Sequence, residues 1–335
     1  MAKKSTIDVV LAGDVGGTNA RLRLCSLDGQ KILHEQTLPS GSGRSLAAIL
    51  APFIRNAPGH VRAAVLGIAG PVVDGVSRTT NLPWVIDERK LATTLGIPKV
   101  KLVNDMATIA MGCLCLKPAD RQVLAKGRPP KAGNAAVIAA GTGLGEGLMI
   151  WEDGQHLPTA SEGGHCDLAP CDDLQADLLQ FLRRGDPKSH VSYERVLSGP
   201  GIGNLYDFFR SRESKPESAE VEQALLTGDR NAAITRLALK GKSTAAVKAV
   251  DLFAAIFGAE VGNLALKGLA TCGVYVCGRI GAEIVPKRKQ IFLAAMRDKG
   301  RLRPLVEGVP VYLVDDSLVG LLGASCLAAR LASER

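Results

Sequence analysis

Apolar positions in this chain alternate between two rhythms. The run "VVLA" over 9–12 leads into Asp14 and a glycine-rich loop, and beyond it Leu22 and Leu24 alternate with Arg21 and Arg23. That period of two is the mark of a half-buried strand. Strands are expected over 8–13, 21–27 and 31–36, with an Asp28-Gly29 turn between the last two, which makes an antiparallel meander. Helical spacing follows over 45–55, a strand over 63–68, a helix over 87–95, a strand over 101–103 and a helix after Asp105. Strands alternating with helices imply a partly parallel sheet, hence an α/β fold.

The order recurs. Residues 9–29, "VVLAGDVGGTNARLRLCSLDG", and residues 136–154, "AVIAAGTGLGEGLMIWEDG", each run from apolar strand through glycine loop and second strand to an Asp-Gly turn. Two related sheet domains are the expectation. It agrees with a length of 335 residues, beyond the roughly 250–300 at which one hydrophobic core stops growing. Helices are then expected over 174–183, 203–211, 221–226 and 244–269, a strand over 273–278, a helix over 284–296, a strand over 311–314 and a terminal helix over 317–331. The segment 121–131, with Pro129-Pro130, is the linker candidate.

Both glycine loops invite an anion. A backbone without Cβ atoms allows close approach, and successive N–H groups at a turn form an anion-binding concavity. Asp14, Gly16, Gly17, Thr18 and Asn19 form one candidate loop; Gly141, Thr142, Gly143 and Gly145 form the other. A plain tight hairpin is the alternative for either loop alone. A carboxylate beside bound phosphates requires an intervening cation, so Asp14 predicts Mg²⁺ held mainly through water. Two other phosphate motifs fail on spacing. "GKST" over 241–244 lacks the glycine that a Walker A loop needs at the position of Arg236, and a dinucleotide fingerprint starting at Gly141 meets Glu146 at its third glycine.

Composition narrows the class further. With 46% hydrophobic, 22% charged and 4% aromatic residues, the chain reads as an ordinary globular protein without a stacking platform for nucleic acid. No apolar run of membrane-spanning length is expected. The net charge of +8 is scattered, densest over 287–289 and 297–303, so no nucleic-acid partner is expected. The start carries Lys3 and Lys4 without a leucine-rich signal core, and the expected location is cytoplasmic. Eight cysteines show no CxxC; most are expected to be reduced and apolar in role. His165, Cys166 and Cys171 suggest a metal only weakly, because a closed zinc site needs a fourth ligand.

The motifs "GDVGGTNAR", "TNLPW", "LVNDMATIA", "GTGLG", "EGGHCDLAP" and "SYERVLSGPG" resemble, in order and spacing, those of the bacterial-type glucokinases. The likeness extends over nearly the whole chain. It implies two ribonuclease-H-like (actin-like ATPase) domains with mixed five-stranded sheets and an active site in the interdomain cleft, divided as 1–115 with 315–335 and as 116–314. It implies ATP, Mg²⁺ and glucose as ligands and a homodimer as the assembly. It places Asn104, Asp105, Glu162, His165 and Glu194 at the sugar, with Asp105 as the general base, and Gly278 near the adenine. Carboxylates, an amide and an imidazole are the groups that match hexose hydroxyls. Four of them also have an ordinary structural alternative: Asn104-Asp105 as a helix cap, Glu194 as a surface residue, His165 as a satisfied structural group.

Two positions depart from the family pattern. Arg279 follows Gly278 where a second glycine is usual, so it either stacks on the base or lies outside. Glu146 stands where a small or apolar residue is usual and is expected to face away from the γ-phosphate. The zinc-bearing sugar kinases and repressors form the competing group, but their cysteine pattern is not found here, and the 13 residues before Asp14 leave too little for a DNA-binding helix-turn-helix. Other hexoses or amino sugars, ADP or polyphosphate as donor, and a non-catalytic sugar and nucleotide sensor remain open alternatives.

Overall fold

The computed structural model describes residues 7–79, 82–184, 188–315 and 317–334. Thr80 and Asn81 of "TNLPW", and the Lys3-Lys4 start, lie outside the described residues. The chain divides into two compact units, Met1–Ala119 with Pro158–Ala160 and Ser317–Arg335, and Asp120–Leu157 with Ser161–Asp316.

In the first unit the elements run β1 (Ile7–Val15), β2 (Asn19–Ser26), β3 (Ile32–Pro39), α1 (Leu46–Arg55), β4 (Gly59–Ile68), the short β5 (Val72–Val73), β6 (Val76–Arg78) and β7 (Val85–Asp87), α2 (Glu88–Leu95), β8 (Lys99–Asn104) and α3 (Asp105–Cys115). The expected meander forms, and the sheet order is β3-β2-β1-β4-β8 with β4 and β8 parallel to β1. Central β1 is buried on both faces. Val9 and Leu11 pack with Leu22, Leu24, Leu50, Phe53 and Leu66 on one side. Val10 and Ala12 lie on the other, clustered with Ala63, Val65, Leu321, Ala324 and Ala328. Three of those belong to the C-terminal helix, Val319–Ser333. It crosses α3 closely, because Gly112 and Gly323 present no Cβ: one added at Gly112 would run into the Val319 carbonyl, and one at Gly323 into that of Thr108.

The second unit contains β9 (Gln122–Ala125), β10 (Ala135–Ala140), β11 (Leu144–Glu152), β12 (Gln155–Ser161, apart from Pro158–Ala160), α4 (Asp173–Leu182), α5 (Gly199–Arg210), α6 (Ala219–Leu226), α7 (Arg230–Leu239), α8 (Thr244–Lys267), β13 (Gly273–Cys277), α9 (Arg279–Ile284), α10 (Lys289–Arg297), α11 (Arg303–Glu307) and β14 (Val311–Leu313). Its sheet order is β12-β11-β10-β13-β14-β9. The first five strands repeat the order and the parallel and antiparallel sense of the first unit, so the sequence repeat is a repeat of topology. Asp153 and Gly154 both have positive φ at the β11–β12 turn, as a tight type I′ hairpin requires.

Several expectations are corrected. The supposed linker supplies β9, an antiparallel edge strand on β14 that makes this sheet six-stranded. The helix expected over 284–296 is broken by a 3₁₀ turn over Val285–Arg288 containing Pro286, whose ring cannot continue a helix. Helix α7 was not anticipated. Its signals are the Asp229 N-cap, which accepts from Asn231 and Ala232 N–H, and Gly241 at φ +67° just past its end. "GKST" is therefore the exit of α7 and, through Ser243, the N-cap of α8. Finally, α8 is long and apolar enough to cross a membrane by length and composition alone, yet most of it is buried inside the protein. It is the central core helix, with Phe253 and Phe257 inaccessible.

Candidate active site

The first glycine loop closes the β1–β2 hairpin. Gly16 N–H donates to the Asn19 carbonyl at 3.0 Å, and Ser40, fully buried, donates from Oγ to the Gly16 carbonyl at 2.7 Å. Neither Gly16 nor Gly17 has a positive φ, and a Cβ on Gly16 would meet nothing closer than 3.5 Å. The fold itself does not demand glycine at residue 16. What a side chain would obstruct there is the open side of the loop, where an anion could approach the backbone. Asp14, at the end of β1, is three-quarters buried and bonded by Arg21 Nη1 at 3.4 Å. Arg21 also donates to the Ser317 carbonyl at 3.0 Å. Burial pushes the Asp14 carboxyl up, and Arg21 offsets this only in part. A desolvated carboxylate with one long ion pair fits a hydrated cation, with Asp14 as its contact.

The second loop, 141–145, resembles the first in openness: a Cβ on Gly141 would meet no atom within 4 Å. Its carbonyl accepts from Gly199 N–H at 2.9 Å, joining the loop to the start of α5. Gly143 has a different reason. A Cβ there would collide with Glu194, whose Oε2 accepts from Leu144 N–H at 2.9 Å. One carboxylate thus holds the loop, so Glu194, partly buried, has a defined partner rather than a free side chain. At Gly278, φ is +86° and a Cβ would run into the Ala140 backbone, so only glycine fits between β10 and α9. Arg279 begins α9 and is exposed.

Asn104 and Asp105 stand where β8 becomes α3. The helix-cap role is real: Asn104 Oδ1 accepts from Met106 N–H at 2.8 Å, and its Nδ2 donates to the Gly70 carbonyl at 3.0 Å. Capping fixes the amide and sets Asp105, half-buried, as the first helical residue. Its Oδ1 accepts from Met106 N–H at 2.9 Å. A carboxylate in the first turn of a helix also meets the favourable end of the dipole.

Glu162 and His165 flank a 3₁₀ turn over Gly163–His165, with Glu162 Oε2 4.0 Å from His165 Nε2 and both side chains about 60% exposed. The glycines between them do not supply a left-handed bend, since neither has positive φ. They permit contact. A Cβ on Gly164 would strike the Leu144 carbonyl, and one on Gly163 would strike Glu146 Oε2. Glu146 is turned inward and is 1% exposed. The turn carrying Glu162 and His165 therefore lies directly on the strand that leaves the second loop. Cys166 and Cys171 are exposed, and among the described residues no group of three or more His, Cys, Asp or Glu could hold a metal ion.

The loop 14–19 with Asn104 and Asp105 belongs to the first unit; Glu162, His165, Glu194, the loop 141–145 and Gly278 belong to the second. Within the second unit the folding brings Glu194, Gly143 and Leu144 together, and Gly163 onto Glu146. Glu146 and its surroundings were not legible in advance, because nothing local in the chain says which face of β11 is covered.

The glucokinase family model matches residues 11–331. The glucokinase of Nostoc sp. is 38% identical over 340 residues, covering 96% of this chain and 99% of the relative. The crystal structure of a glucokinase from an Antarctic psychrotroph shares 28% identity and a TM-score of 0.81, over 97% of this chain and all of that one. A ROK family glucokinase from Streptomyces griseus, solved with glucose and AMPPNP, shares the fold at 21% identity and a TM-score of 0.65, over 96% of this chain and 99% of that one. With a family model spanning nearly every element described above, and a relative matched end to end, the chain belongs to the glucokinase family.

Proposed function

We propose that this chain is a glucokinase in which Asp105 is the general base for transfer of the γ-phosphoryl group of ATP to the 6-hydroxyl of D-glucose. Family membership supports the reaction. The observation that carries the residue assignment is the Asn104 cap, which fixes an amide for the sugar beside a carboxylate held at the helix start. In the step itself, the 6-hydroxyl oxygen forms a bond to the γ-phosphorus, the bridging bond to the ADP oxygen breaks, and the hydroxyl proton passes to Asp105. Asn104, Glu162, His165 and Glu194 orient the hydroxyls. The loops at 14–19 and 141–145 hold phosphates through backbone N–H groups, with Gly278 at the adenine. Mg²⁺, when bound, neutralises charge on the phosphates, and Asp14 would hold it through water.

This reading makes both units ribonuclease-H-like, actin-like ATPase domains, supported by their shared strand order. It includes a homodimer in the cytoplasm, to be checked by light scattering and cell fractionation. The decisive test is Asp105→Asn. The amide keeps the shape but cannot take the proton, so kcat falls by at least about 10²-fold while glucose still binds. Near-normal kcat would place the base elsewhere. A coupled assay across glucose, mannose and glucosamine with ATP, ADP and polyphosphate tests the substrate and donor.

A further inference from the structure

Beneath the two turns assigned to the sugar lies a buried carboxyl that phosphoryl transfer does not use. Glu146 Oε1 has no hydrogen-bond partner among the described residues, and Oε2 rests against Gly163. From α8, fully buried Glu260 approaches it, accepting from Lys267 Nζ at 2.8 Å and from Asn263 Nδ2 at 2.9 Å. Asn263 Nδ2 also reaches the Tyr193 hydroxyl at 3.2 Å, and Tyr193 opens the turn that carries Glu194. Glu260 and Lys267 are the charges that act on Glu146; Tyr193 and Cys166 face the same pair, one from each turn, while Glu162 and His165 are exposed.

Charge counting sets the chemistry. Two buried carboxylates share one ammonium, and a surplus buried anion is costly, so a proton on Glu146 brings the cluster to neutrality. Protonated, Glu146 is a neutral block under Gly163. Ionised, it is a second anion beside Glu260, and its escape toward water runs through the turn above it.

We propose that Glu146 is a positioning residue for the hexose: its protonated carboxyl seats the 163–165 turn with Glu162 and His165 in place, and loss of that proton unseats the turn and weakens sugar binding. The inference rests on the assignment of Glu162 and His165 to the sugar made above. Burial first, then Glu260, pushes the Glu146 carboxyl up to about 7, with Lys267 opposing. The switch therefore lies in the neutral range.

The experiment is calorimetric titration of glucose from pH 6 to 8.5 on the wild type, Glu146→Gln and Glu162→Gln. The wild-type Kd is expected to rise about fourfold between pH 6 and 7.5, the factor imposed by a group titrating near 7 when only its protonated form seats the sugar. Glu146→Gln, which keeps the shape and has no proton to lose, is expected to abolish that rise. Glu162→Gln is expected to weaken binding at every pH. If Glu146→Gln retains the wild-type rise while Glu162→Gln binds weakly, the inference is overturned and the sugar assignment stands. If Glu162→Gln binds as the wild type does, the assignment falls and takes the inference with it. Should Glu146→Gln fail to fold, proton uptake by the wild type on binding glucose at pH 7.5, read in buffers of differing ionisation heat, decides: uptake supports the proposal and its absence overturns it.

Discussion

Replacing Glu146 with Gln should change how stability depends on pH, and the size of the change follows from the burial. The carboxyl moves from 4.5 to about 7 on folding, which at 1.36 kcal/mol per unit makes ionised Glu146 a liability of about 3 kcal/mol. The sign is set by proton binding. Between those two values the folded protein binds the proton more tightly than the unfolded chain, so this stability is fully present below 4.5 and is lost as pH rises through about 7. From pH 5 to pH 8 the wild type should lose about 2.5 kcal/mol through this group, and Glu146→Gln should not. The assay is urea unfolding across that range, followed unit by unit because two units need not unfold together. The two tryptophans make this practical: Trp84 lies in the first unit and Trp151 in the second, so Trp84→Phe leaves a fluorophore that reports the unit containing Glu146. The measured quantity is the difference in unfolding free energy between the Gln variant and its parent at each pH. A difference that stays flat from pH 5 to 8 would refute the claim that the burial of Glu146 is only partly compensated by Lys267.

Other outcomes are expected on the same physical grounds. Gly143→Ala forces Glu194 away from Leu144 N–H, so steady-state kinetics should show KM raised for both glucose and ATP. A change confined to one substrate would deny that Glu194 joins the two sites. Gly323→Ala drives a methyl into the Thr108 carbonyl and toward Gly112 N, and thermal unfolding should show a loss of about 1–3 kcal/mol, the usual cost of overpacking. Chelation of divalent cations should stop phosphoryl transfer while leaving the circular dichroism spectrum and Tm unchanged. A coupled loss of zinc and Tm would move His165, Cys166 and Cys171 into a metal site.

Much of the fold was legible because its signals are local. The alternation of Leu22 and Leu24 with arginines, the Asp-Gly turns, and the Asn104 cap each act over a few residues, where short-range sterics and hydrogen bonds decide the outcome. The two glycine loops were legible for the same reason, whereas Asn104-Asp105, Glu162-His165 and Glu194 were marked out by the likeness of their motifs to those of the glucokinases. What the chain alone did not show depends on contacts distant in sequence. Residues 122–125 look like linker because their strand character comes from the partner edge of β14 rather than from their own pattern. Residues 244–267 look apolar enough for a bilayer, and only the helices and strands around them make them a core. Nothing in the chain alone marks Gly163 and Gly164 as points of close approach; packing against β11 makes them so. Glu146 is the sharpest case: its type and neighbours in sequence suggest a solvated charge, and only enclosure by the turn above and Glu260 below removes it from water and moves its proton equilibrium. Pattern and capping are written residue by residue, while desolvation is a property of everything that surrounds a side chain.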